Sequence, residues 1–213
     1  MRKKWMVFAA FFVFSWVAAA NEVGGVYFVG NSITFHGKSE KIGWMSSWGM
    51  AASSSDSDYV GLIRKSINEY CTYEVRGVYN YAFFERDPEK NFPEDFNKID
   101  FNNGVVVVFL GDNVDRGNEA IFHARLESQL KNIPGGRAIV VGTWWNNIMV
   151  DDFLEKLSSK MNARYISLNG ISSFDENRAV HENKFVAAHP SDAGMNKIYE
   201  KIMPEIIKIC KKD

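Results

Sequence analysis

The chain has 213 residues, of which 46% are hydrophobic and 14% aromatic, and its formal net charge is −1. This length is typical of one compact domain, because domains commonly contain about 100–200 residues. A chain with this charge and no basic block beyond its first four residues is a poor candidate for nucleic-acid binding, which depends on clustered lysine and arginine.

The N-terminal segment differs in character from the rest. Basic residues at positions 2–4 precede an apolar run at 5–17, and three alanines follow at 18–20. The run is shorter than the roughly 20 residues that span a bilayer. We therefore predict a signal peptide over residues 1–20, cleaved near Ala20, and an exported protein, periplasmic or secreted, with one domain over residues 21–213 and no stable membrane insertion. An uncleaved anchor is the alternative.

The first element of the mature chain ends in a small hydroxyl group. Residues 26–29 are hydrophobic and β-prone, and they stop abruptly at Gly30, Asn31 and Ser32. This pattern predicts a buried strand followed by a tight turn at the edge of a sheet. In open α/β folds, that position holds either a nucleophile or a phosphate-binding loop.

The segment over residues 35–57 is long for a connection in an α/β unit and contains Trp44 and Trp48. Long connections tend to be functional. We therefore predict that Trp48 belongs to a pocket wall, with core filling as the alternative. Asp56 or Ser57 is expected to cap the helix that follows.

The remaining elements alternate along the chain. Periodic patterns predict helices at 58–70, 118–132, 151–161 and 193–208 and further strands at 72–78, 105–110, 137–142 and 163–168. The unbroken β-branched run at 105–110 indicates a central parallel strand. The fold class is therefore α/β, a three-layer α/β/α sandwich with a mainly parallel, five-stranded, flavodoxin-like sheet.

Right-handed crossovers bring the carboxyl ends of parallel strands to one edge, where sites in such sheets lie. The candidate site residues at that edge are Ser32, Glu85, Gly111, Asn113, Trp144, Trp145 and His189, with Trp48 beside them. A serine hydroxyl becomes a nucleophile when a base lies within about 3 Å, and histidine is the usual base. The Ser32 N–H, an N–H after the second strand and the Asn113 amide are expected as oxyanion donors.

Three short blocks resemble those of the SGNH, or GDSL-type, esterases and acylhydrolases. Gly30-Asn31-Ser32-Ile33-Thr34 resembles the family's Gly-Asp-Ser block, Gly111-Asp112-Asn113 its Gly-x-Asn block, and His189-Pro190-Ser191-Asp192-Ala193-Gly194 its His-Pro block. They stand in the family's order and span nearly all of the mature chain. The resemblance implies the SGNH-hydrolase fold, with Ser32 as nucleophile, His189 as general base and Asn113 as oxyanion donor, and it requires no cofactor or metal.

The chain departs from the family pattern in three places. Asn31 replaces the usual aspartate before the serine. The glycine whose N–H enters the family's oxyanion hole falls on or near Glu85, whose carboxylate would be unfavourable there unless turned away or paired with Arg86. The family's acid stands three residues before the histidine, and that position is Val186.

The sequence therefore leaves open which group orients the His189 ring. A backbone carbonyl would leave a serine–histidine dyad, which we favour, and an acid from elsewhere would complete a triad. The candidate acids are Asp175, Glu182 and Asp192, although Asp192 is expected to cap the last helix. Loss of activity is a third reading.

The leading hypothesis is an exported serine esterase that removes an acyl group, such as acetyl, from a carbohydrate or cell-envelope ester. The alternatives are an O-acyltransferase, a catalytically inactive glycan-binding protein and a flavodoxin-like cofactor binder. The first turn lacks the glycine and hydroxyl density that favours a phosphate loop. Export permits a disulfide between Cys71 and Cys210, and two buried thiols are the alternative. The oligomeric state stays open.

Overall fold

The structure is a computed structural model that describes residues 23–90, 96, 98–99, 101 and 103–211. The predicted signal peptide lies outside the described residues. Within the described part of the chain, no helix is long and apolar enough to cross a membrane.

Five parallel strands form one sheet in the order β2-β1-β3-β4-β5. The strands are β1 (Gly25–Gly30), β2 (Glu74–Asn80), β3 (Gly104–Phe109), β4 (Ala138–Val141) and β5 (Arg164–Ile166). This is a doubly wound order of the flavodoxin type. The predicted α/β class and the five-stranded parallel sheet are confirmed, and all five strands end at the same edge.

Helices connect the strands. They are α1 (Tyr59–Ser66), α2 (Ala82–Arg86), α3 (Glu119–Leu130), α4 (Ile148–Lys160), α5 (Lys184–Ala187) and α6 (Asp192–Cys210). Short 3₁₀ turns lie at Glu40–Ile42, Ile67–Glu69, Ile171–Ser173 and Asp175–Asn177. The predicted first helix therefore ends earlier than expected, because its last turn is a 3₁₀ turn.

Helix α1 begins one residue later than the predicted caps imply. Its N-cap is Asp58, whose carboxylate accepts the N–H of Gly61 at 2.6 Å, and not Asp56 or Ser57. The same carboxylate accepts the N–H of Gly49 at 2.8 Å. Asp58 therefore both caps the helix and fixes the loop that precedes it.

Helix α6 is capped by Ser191, whose hydroxyl accepts the N–H of Gly194 at 3.2 Å. The prediction that Asp192 caps this helix is wrong, because Asp192 is its first residue. The Asp192 carboxylate accepts the backbone N–H and the hydroxyl of Ser53, at 2.8 and 2.5 Å. It thus ties the loop after β1 to the start of α6.

The core lies on both faces of the sheet, because successive side chains of a strand point to opposite faces. Phe28 and Val107 face α1 and α6 and belong to one apolar cluster. Val29 and Val108 face α3 and α4 and belong to the other. All four side chains are fully buried. Burial on both faces explains the continuous hydrophobic runs of β1 and β3.

A disulfide joins Cys71 to Cys210, with Cα atoms 6.2 Å apart and a sequence separation of 139. Cys71 follows the 3₁₀ turn after α1, and Cys210 is the last residue of α6. Of the two alternatives from the sequence, the disulfide is the one present. It joins the two helices that cover the same face of the sheet.

Replacing both cysteines by serine is expected to lower the free energy of unfolding by about 2–5 kcal/mol, because the unfolded chain regains the entropy of a long open loop. Urea denaturation followed by tryptophan fluorescence measures this change. Reductant is expected to destabilise the native protein similarly and to leave the double variant unchanged. Equal midpoints for the oxidised native protein and the double variant would contradict the prediction.

Candidate active site

Strand β1 delivers Ser32 to a tight turn at the carboxyl edge of the sheet. The carbonyl of Asn31 accepts the N–H groups of Thr34 and Phe35, each at 3.0 Å. A Cβ atom on Gly30 would lie 1.9 Å from the Thr34 hydroxyl oxygen, so only glycine permits this close approach. Ser32 is only 2% exposed. The turn is therefore fixed by its own backbone.

The Ser32 hydroxyl faces a histidine. Ser32 Oγ lies 2.8 Å from His189 Nε2, and His189 Nδ1 lies 2.8 Å from the carbonyl oxygen of Phe185. A carbonyl oxygen can only accept, so Nδ1 carries the hydrogen and donates it. The lone pair of Nε2 is then directed at the serine hydroxyl, which is the orientation that a general base needs.

The residue at the expected position of the acid is part of a small apolar cluster. Val186 is fully buried and packs with Trp44 and Met50. Its carbonyl accepts the backbone N–H of His189 at 3.0 Å. Val186 therefore holds the backbone of the histidine, while the neighbouring Phe185 carbonyl orients the ring.

The other candidate acids do not contact the His189 ring. Asp175 pairs with Arg178, and Asp192 is bonded to the loop after β1. Glu182 is exposed. Among the described residues, Ser32 and Phe185 provide the hydrogen-bond partners of the imidazole.

Aromatic rings enclose His189. The rings of Trp145 and Phe185 each lie edge-on, with centroids 5.2 Å from that of the imidazole. Burial lowers the pKa of His189 to about 4, and the nearby His36 adds to this effect, while the hydrogen bond to the Phe185 carbonyl opposes it. The imidazole is therefore neutral at neutral pH.

Glu85 occupies the centre of a buried polar cluster. Its carboxylate is fully buried and accepts four N–H groups. The donors are the backbone N–H of Gly111, the backbone N–H of Asp112 at 3.1 Å, Asn113 Nδ2 at 2.5 Å and Asn31 Nδ2 at 3.2 Å. Four donors compensate much of the cost of burying a carboxylate.

Glu85 is placed differently from the sequence expectation. Its backbone N–H, expected among the oxyanion donors, donates to the carbonyl of Tyr81 at 3.3 Å within the α2 turn. Its carboxylate is neither turned to solvent nor paired with Arg86. Arg86 Nη2 instead donates to Asn113 Oδ1 at 3.4 Å.

Asp112 links this cluster to the turn after β4. Its Oδ2 accepts from Asn31 Nδ2 at 3.2 Å, and its Oδ1 accepts the N–H groups of Trp144 and Trp145 at 2.7 and 3.2 Å. Burial, and next the charge of Glu85, raise the pKa of Asp112 to about 8. Burial also raises the pKa of Glu85, but its four donors favour the ionised form.

Gly111 and Asn113 lie beside Glu85. Gly111 has a φ of +130°, and a Cβ atom there would lie 2.6 Å from Val150 Cγ1, so the position requires glycine. Asn113 Nδ2 donates one hydrogen to Glu85, and an amide nitrogen carries a second. The Glu85 contact thus fixes the amide that is expected to serve as oxyanion donor.

The tryptophans differ in location. Trp144, expected at the substrate, is fully buried in the core, and its Nε1 donates to the Ala188 carbonyl at 3.1 Å. Trp145 is 37% exposed, and its Nε1 donates to the same carbonyl at 3.1 Å. Trp48 is half-buried and lines a small cavity of about 160 Å³ near Phe35. Trp145 is therefore the tryptophan that borders His189.

Sequence reasoning missed two parts of this site. The sequence analysis assigns no role to Asp112, and the carbonyl of Phe185 has no side-chain signal. Asn31 is a sequence signal for the role of Asp112. Its side-chain amide can donate to two carboxylates, Glu85 and Asp112, and the usual aspartate at this position could not.

Replacing Glu85 by glutamine is expected to destabilise the fold by about 1–3 kcal/mol, because the new amide group would face N–H donors and leave some of them unpaired. Urea denaturation measures the loss. Glu40 is exposed, and Glu40→Gln serves as the matched control with no expected change. An unchanged midpoint for Glu85→Gln would show that Glu85 is protonated in the folded state.

Comparisons with known proteins show the fold. No model of a known protein family matches this chain, and no curated protein is significantly similar to it. Among solved structures, it is similar to the psychrotrophic esterase EstA from Pseudoalteromonas sp., in a form inhibited by monoethylphosphonate. The TM-score is 0.55 and the identity 11%, over 87% of this chain and 97% of that one.

A family two carbohydrate esterase from Cellvibrio japonicus is also similar, with a TM-score of 0.50 and 13% identity. The match covers 88% of this chain but only 62% of that chain. At these identities, the likeness establishes the architecture. The chain therefore has the fold of two esterases, which supports the resemblance of its sequence blocks to the SGNH, or GDSL-type, family.

Proposed function

We propose that this chain is a serine esterase with Ser32 as nucleophile and His189 as general base. The observation that supports the proposal most directly is the 2.8 Å contact between Ser32 Oγ and His189 Nε2, with Nδ1 held by the Phe185 carbonyl. The esterase fold of the two similar structures agrees with this reaction class.

In the first half-reaction, Ser32 Oγ attacks the ester carbonyl carbon while His189 Nε2 accepts its proton. The tetrahedral intermediate then collapses, the C–O bond of the ester breaks, and Nε2 returns the proton to the departing alcohol. In the second half, His189 Nε2 takes a proton from water as the water attacks the acyl-enzyme. The bond between the acyl carbon and Ser32 Oγ then breaks, Nε2 returns the proton to Oγ, and the acid is released.

The oxyanion of the intermediate requires preorganised donors. We assign this role to the Ser32 N–H and to the second hydrogen of Asn113 Nδ2. Glu85 holds the first hydrogen at 2.5 Å and so positions the amide. Glu85 itself is thus a positioning residue and contributes no backbone donor.

The finer features of the proposal are an exported enzyme and a carbohydrate or cell-envelope ester as substrate. The basic and apolar N-terminal residues support export. The exposed Trp145 beside His189 supports a sugar ring, since aromatic faces are suited to such contacts. A sugar hydroxyl in place of water would make the same acyl-enzyme an O-acyltransferase.

Ser32→Ala is expected to abolish hydrolysis of p-nitrophenyl acetate by the mature protein, because the acyl-enzyme can no longer form. Ser173 is exposed, and Ser173→Ala is the matched control that retains the activity. The absorbance of the released p-nitrophenolate, followed over time, measures the rate of hydrolysis. Equal rates for Ser32→Ala and the native protein would exclude the serine mechanism.

The acidic limb of the pH–rate profile is expected near pH 4, not near 6.5, because the low pKa of buried His189 keeps the base unprotonated down to that range. A pKa below the unfolded value of about 6.5 also means that this histidine's contribution to stability is lost as pH falls from 6.5 towards 4. Measurements of kcat/KM, with circular dichroism at each pH, separate the two effects. An acidic limb between pH 6 and 7 with intact circular dichroism would contradict the prediction.

A further inference from the structure

Two tryptophan side chains converge on the peptide group that precedes His189. The indole N–H groups of Trp144 and Trp145, the tryptophan pair, both donate to the carbonyl oxygen of Ala188, each at 3.1 Å. A carbonyl oxygen has two lone pairs, so these two donors fill its hydrogen-bonding capacity. The backbone between Ala188 and His189 is therefore held by side chains from a different part of the chain.

The tryptophan pair is also fixed at its backbone. Asp112 Oδ1 accepts the backbone N–H groups of Trp144 and Trp145, at 2.7 and 3.2 Å. Trp144 is fully buried, and the ring of Trp145 lies edge-on to the imidazole of His189, with centroids 5.2 Å apart. The pair is thus bonded at one end to the turn after β3 and at the other to Ala188, which makes it a stiff link between the two.

Helix α5 ends immediately before the Ala188–His189 peptide, and its end decides which carbonyl the imidazole meets. A continued α-helix would give the Phe185 carbonyl to the backbone N–H of His189, four residues later. That N–H instead donates to the Val186 carbonyl at 3.0 Å, which is the tighter bond of a 3₁₀ turn. The Phe185 carbonyl is therefore left to accept the hydrogen of His189 Nδ1, at 2.8 Å.

Two features stop the helix at this point. Pro190 follows His189, and a residue before proline is disfavoured in the α-helical conformation. In a continued helix, the Ala188 carbonyl would accept the N–H of Asp192, four residues later. Here that carbonyl is bonded to the two indole groups instead. The tryptophan pair therefore stabilises the helix end that makes the Phe185 carbonyl available.

We propose that Trp145 is a positioning residue for the proposed reaction, and that its indole N–H, together with that of Trp144, orients His189 in place of the family's acid. It acts through the Ala188 carbonyl, which fixes the end of α5 and with it the carbonyl of Phe185. The inference rests on the proposed esterase function for its effect on rate but not for its effect on the imidazole. Loss of the indole N–H is expected to loosen the hydrogen bond of Nδ1, so that Nε2 is directed at the nucleophile for less of the time.

The kinetic test uses Trp145→Phe, which keeps an aromatic ring and removes the N–H. With p-nitrophenyl acetate, kcat is expected to fall at least about tenfold and KM to stay unchanged, because His189 acts in both half-reactions and its misplacement slows both. Tyr70 is 45% exposed and precedes the disulfide residue Cys71. Tyr70→Phe also removes a polar hydrogen from an exposed aromatic residue, and this matched control is expected to retain the native kcat.

The ring tautomer of His189 provides a readout that needs no turnover. Long-range proton–nitrogen NMR spectra show which ring nitrogen carries the hydrogen, and comparison with His189→Gln assigns the signals. The native protein is expected to hold the Nδ1–H tautomer at neutral pH, and Trp145→Phe to populate the Nε2–H tautomer, which free histidine favours. Trp144→Phe removes the other donor to Ala188 and is expected to change kcat and the tautomer in the same direction. Tyr70→Phe is expected to keep the native tautomer.

The two readouts separate this inference from the esterase proposal. If the native protein hydrolyses the ester, a kcat for Trp145→Phe within about twofold of the native value, or an unchanged tautomer, would overturn the inference. If the native protein shows no turnover but Trp145→Phe changes the tautomer, the esterase proposal alone is overturned. No turnover together with an unchanged tautomer would overturn both.

Discussion

The hydrogen bonds to the Glu85 carboxylate are the interaction on which the carboxyl edge of the sheet depends. They join the turn after β1, through Asn31, to the turn after β3, through Gly111, Asp112 and Asn113. A buried carboxylate without such donors would cost several kcal/mol. The turns and the carboxylate therefore require each other, and a change in either one affects Ser32 and Asn113 together.

Asp112 extends this dependence to the histidine. Its carboxyl group accepts the backbone N–H of Trp145, whose ring then covers His189 and whose Nε1 donates to Ala188. The ring that covers His189 is thus connected to Glu85 by two hydrogen bonds. The Asp112 N–H donates to Glu85, and the Trp145 N–H donates to Asp112. The cluster that fixes the proposed oxyanion donor therefore also holds the tryptophan ring that contacts His189.

The fold was predictable because its signals are local. The continuous runs of β1 and β3 are buried on both faces, and right-handed crossovers place all strand ends together. The neighbourhood of Ser32, Asn113 and His189 followed from that topology.

The features that escaped prediction depend on contacts that no side-chain pattern in the sequence encodes. The Phe185 carbonyl orients His189, yet backbone oxygens occur at every residue and leave no mark in a sequence. Trp144 and Trp145 are adjacent and chemically identical, and only the path of the turn decides that one is in the core and the other exposed. The sequence predicts that Glu85 lies near the site, but only the structure shows that its carboxylate accepts hydrogen bonds from Asn31 and from residues 111–113.

A carbonyl in place of the family's acid changes the energetics of the proposed reaction. When His189 takes the proton of Ser32, a positive charge forms among apolar rings, and a carbonyl dipole stabilises it less than a carboxylate would. The burial that lowers the pKa of His189 acts in the same direction. Proton transfer therefore has a smaller driving force, and more of the rate must come from the 2.8 Å placement of the two groups and from the oxyanion donors. The proposed reaction therefore depends strongly on the Asn113 amide, and its hydrogen bond to the buried Glu85 carboxylate holds that donor in position.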